Sequence, residues 1–83
     1  MKINKRYKEL LEECYIALLS EIVDNDITNP NSEDLKSIIN EIANSFCHPA
    51  VKGEKERVKR FLMKVSPKMI NNYQIANIET SEA

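Results

Sequence analysis

Leu35, Ile38, Ile39, Ile42 and Phe46 recur at i, i+3, i+4, i+7 and i+11. This spacing lays side chains along one face of an α-helix. Two further stripes of the same period flank this one. Together they set most of what the chain can fold into.

The first stripe predicts a helix from about Lys5 to Val23, with Tyr7, Leu10, Leu11, Cys14, Leu18 and Ile22 on its buried face and Asn4 as its N-cap. The run DNDITNPNS ends it, because nine polar, turn-forming residues that include Pro30 make a loop. The central helix starts at Ser32, an N-cap residue, with Glu33 and Asp34 in the first turn, where the helix dipole favours acids. It stops before Pro49, since a residue preceding proline is pushed out of the α region.

The third stripe, Val58, Phe61, Leu62 and Val65, follows Gly53. It meets Ser66-Pro67. A proline inside a helix costs about 3 kcal/mol, whereas Ser as N-cap and Pro at the first helical position suit a helix start. The expectation is a break there and a short further helix over 67–76, with Met69 and Tyr73 continuing the apolar stripe. Residues 77–83 are expected to form a disordered C-terminal tail. The predicted fold class is all-α: a small antiparallel helical bundle in one domain over 1–76, with three helices plus a short fourth helix after Pro67.

Composition supports this reading. With 83 residues there is room for one small domain. Gly53 is the only glycine, so few turns can need a left-handed residue, which argues against hairpins and phosphate-cradling loops. The start MKINKRYKELLEE is charged, and uncharged runs such as CYIALLS are too short to span a bilayer. Cys14 and Cys47 are therefore expected as free thiols in a cytoplasmic protein. The net charge of −1 hides segregation. Residues 1–8 carry four cations and no acid, residues 9–51 nine acids and only Lys36, and residues 52–68 seven cations against Glu54 and Glu56.

The parts of an active site are scarce. The loop from Asp24 to Leu35 has calcium-like acids, but the position that needs glycine is Asn29, and the position that needs a bidentate glutamate is the core residue Leu35. Cys47 and His48 lack the further ligands a metal needs and the orienting third group a nucleophile pair needs. Neither a catalytic residue, a metal nor a cofactor is expected, and the chain reads as no enzyme.

Two features remain unabsorbed. Ile16, Leu19 and Val23 form a second apolar stripe on the first helix, away from its main face. They either join the core of a centrally placed helix or form a strip that meets another chain. Arg57, Arg60, Lys64 and Lys68 form a basic row beside the third stripe, provided the helix axis continues past Pro67. Such rows often do no more than cover the rim of a core with their stems. They also suit an acidic partner or a nucleic-acid backbone.

These features point to a small non-enzymatic domain that docks on a larger protein partner, or on itself, and modulates or inhibits it. Inhibitors and accessory proteins of phages and mobile elements share its size and plainness. The expected contacts are Ile16, Leu19 and Val23, with the basic row as electrostatic guide. The stretch RVKRFLMKVSPKMINN, residues 57–72, is similar to the third helix and following turn of class IIa bacteriocin immunity proteins. That resemblance covers about a fifth of the chain. It implies an antiparallel four-helix bundle with an immunity role, although this sequence departs from the family in having no long fourth helix or C-terminal tail. The competing class is a nucleic-acid-binding domain using residues 52–68. It is weakened by the acids of residues 9–51, by the length of HPAVKG for a helix-turn-helix turn, and by Glu54 and Glu56 leading the recognition helix.

Overall fold

The computed structural model describes residues 5–48 and 50–82. Three helices carry the fold: α1 (Lys5–Asp24), α2 (Glu33–Phe46) and α3 (Glu54–Glu82). Each packs on the other two. No strand occurs among the described residues. The all-α bundle expected from the sequence is therefore present. The N-cap assigned to Asn4 and the stop assigned to Pro49 lie outside the described residues.

The chain order sets the directions. Arg6 meets Glu54 at the start of α1 and α3, and Tyr73 meets Asp26 near the other end. Hence α1 and α3 run parallel, and α2 returns between them, antiparallel to both. The sequence separations of these two ties are 48 and 47 residues. A residue of α1 therefore lies level with the α3 residue about 48 positions later.

The core follows the three stripes. Leu10, Cys14, Leu18 and Ile22 come from α1, and Leu35, Ile39, Ile42 and Ala43 from α2. Val58, Leu62, Met69 and Ile70 come from α3. Phe46, expected to end the α2 stripe, is 40% exposed, and Cys47 takes the buried position beside it. The α2 start is as expected: the Ser32 Oγ accepts the Leu35 N–H at 3.1 Å.

The end of α1 solves a left-handed turn without glycine. The Ile27 N–H donates to the Ile22 carbonyl at 3.0 Å and the Asp26 N–H to the Val23 carbonyl at 3.3 Å, with Asp26 at φ 50°. This is a Schellman cap, and Ile22 and Ile27 supply its usual apolar contact, both buried. Asp tolerates the left-handed region better than most residues. Gly53, at φ +79°, supplies the other positive-φ position, immediately before α3.

The expected break at Pro67 is corrected by the structure. Helix α3 runs unbroken through Pro67 to Glu82, so there is no separate fourth helix and the helix continues over 77–82. The physical reason lies in Ser66. Pro67 has no N–H to give the Met63 carbonyl four residues back. The Ser66 Oγ, buried at 1% exposure, donates to that carbonyl at 3.2 Å instead. Ser66 thus repairs the ladder that Pro67 interrupts, rather than capping a new helix.

Candidate interaction surface

The two parallel helices α1 and α3 leave a groove between them on the side away from α2. Its lining is Lys8, Leu11, Glu12, Tyr15 and Ile16 from α1 and Phe61 from α3, around a volume of ≈ 450 Å³. Leu11 and Phe61 are half-buried and form its floor, packed against the core. The helical period explains the placement. Leu11 and Tyr15 lie one step around α1 from the core stripe, on the side that faces α3.

The second apolar stripe of α1 is on the surface. Ile16 is 66% exposed, Leu19 40% and Val23 47%. Tyr15, at 37%, joins them and links the strip to the groove floor. Helix α1 therefore has one apolar face in the core and a second in solvent. Sequence reasoning left Tyr15, Leu11 and Phe61 out of the surface. Tyr15 was within reach of it, because it stands four residues before Leu19 and so on the same face.

All four residues of the basic row are exposed. Because α3 continues through Pro67, Lys68 stays in line with the rest. Arg57, Lys64 and Lys68 stand at i−4, i+3 and i+7 from Phe61, which puts them along the edge of the groove. Arg60 lies one step further out. The Arg57 guanidinium sits over the Tyr7 ring, 5.3 Å from its centroid, a cation–π contact that holds the head of the row against α1. The fold thus brings the two separately read features, strip and row, to the two sides of one groove.

The opposite edge of the strip is acidic. Glu9 and Glu13 precede Ile16 by seven and three residues and so flank it on the side away from α3, whereas Glu12 lines the groove itself. Glu54 belongs to none of this. It is 1% exposed and takes two hydrogen bonds from the Arg6 guanidinium, at 2.7 and 2.9 Å. That pairing holds the Glu54 carboxyl below its ordinary range against the opposing effect of burial.

The thiols are free and buried. Burial pushes Cys14 up to about 11 and raises Cys47 as well, with the neighbouring Glu54 adding to the latter. The His48 Nδ1 accepts the Ala50 N–H at 3.1 Å and shapes the turn toward α3. Among the described residues, no group of three or more His, Cys, Asp or Glu side chains is placed to hold a metal ion. No helix among them is long and apolar enough to cross a membrane. Comparison with protein-family models, with curated proteins and with solved structures returns no match for this chain.

Proposed function

We propose that this chain is a non-enzymatic protein-interaction domain whose binding face is the α1/α3 groove with the strip Tyr15, Ile16, Leu19 and Val23. One observation carries the reading. A second apolar face of α1 is exposed to water and continuous with a groove of matching chemistry, and large contiguous apolar patches on small chains are sites of association. The basic row guides approach and orientation. A modulating or inhibitory role on the partner, as in accessory proteins of mobile elements, is the corresponding biological reading. The acids Glu9 and Glu13 stand across the strip from the row. They favour a protein over a phosphate backbone, which would meet both edges at once. The four-helix immunity bundle is disfavoured by the three-helix architecture.

The test is a photo-crosslinking amino acid placed at Leu19, and in parallel at Lys36 on the exposed side of α2, in cells expressing the full chain. The proposal expects discrete protein adducts from position 19 and none from position 36. Absence of any adduct at position 19 refutes it.

A further inference from the structure

We draw no further inference here: the strongest candidate, the apolar groove between α1 and α3 with the exposed strip Tyr15, Ile16, Leu19 and Val23 beside it, belongs to the surface already described, and nothing in the structure shows what covers it.

Discussion

Arg6 and Glu54, 48 residues apart, join the starts of α1 and α3 through two hydrogen bonds from one guanidinium to one carboxylate, at 2.7 and 2.9 Å. The arrangement is asymmetric: the Glu54 side chain is 2% exposed and that of Arg6 51%. The carboxylate has left water and Arg6 has not. Removing the arginine therefore strands a buried charge, which is far more damaging than losing an exposed pair. Arg6→Gln is expected to lower the Tm more than Lys36→Gln does, since Lys36 pairs with Glu33 only at the surface, at 3.7 Å. Parallel thermal melts make the comparison.

The same pair predicts a pH limb. The Arg6 guanidinium, helped by the His48 backbone N–H, holds the Glu54 carboxyl below its ordinary value near 4.5. A carboxylate depressed in the folded state binds protons more readily when unfolded. Its contribution is complete above about pH 4.5 and is lost as pH falls through the lower folded value. Urea unfolding at stepped pH is expected to show stability falling below that point, and a shallower fall in Glu54→Gln. Equal slopes in the two proteins would contradict the assignment.

Ser66 and Pro67 form a coupled pair. Ser66→Ala leaves the Met63 carbonyl without its donor and is expected to cost about 1–2 kcal/mol. Pro67→Ala returns an N–H to that carbonyl and is expected to stabilise the chain by up to about 3 kcal/mol. In the Pro67→Ala background the Ser66→Ala cost should shrink, because the carbonyl then has its ladder partner. A double-mutant cycle by chemical denaturation measures the coupling, and strict additivity would show that Ser66 does not act through Met63.

Gly53 isolates backbone strain from packing. A Cβ added there meets no atom within 4 Å, yet φ is +79°. Gly53→Ala should therefore cost about 1–2 kcal/mol through the left-handed backbone alone, and Gly53→Asn less, since Asn visits this region more readily. Denaturant midpoints of the two variants give the order.

Leu19→Asp distinguishes surface from core. Leu19 is 40% exposed, so the folded monomer should lose no more than about 1 kcal/mol. A buried site would suffer an unpaired charge and unfold so small a domain. A melt close to that of the native chain is the expected outcome.

The thiols should be inert while the chain is folded. Both are buried and both titrate above the ordinary range, and the thiolate is the reactive form. Alkylation followed by mass spectrometry at neutral pH is expected to be slow in buffer and fast in denaturant.

Local patterns alone determined the three helices, their polar loops and most of the core. A 3.6-residue period and Ser32 as cap act within a few residues of chain, so they can be read from Leu35 to Ile42 without knowing the fold. Pro67 escaped that reading because its cost depends on whether the Met63 carbonyl finds another donor, and the same Ser that favours a helix start can supply one. Ile27 was hidden in a polar loop because its burial follows from the cap geometry at Asp26. Whether Ile16, Leu19 and Val23 face protein or water could not be decided from α1 by itself. Their period says only that they share a side. The docking of α2 and α3 on the other sides of α1 decided which side remained open. Likewise the basic row was legible as a row, but its place opposite an acidic edge came from the parallel pairing of α1 and α3, which the distant Arg6–Glu54 and Tyr73–Asp26 contacts hold in register.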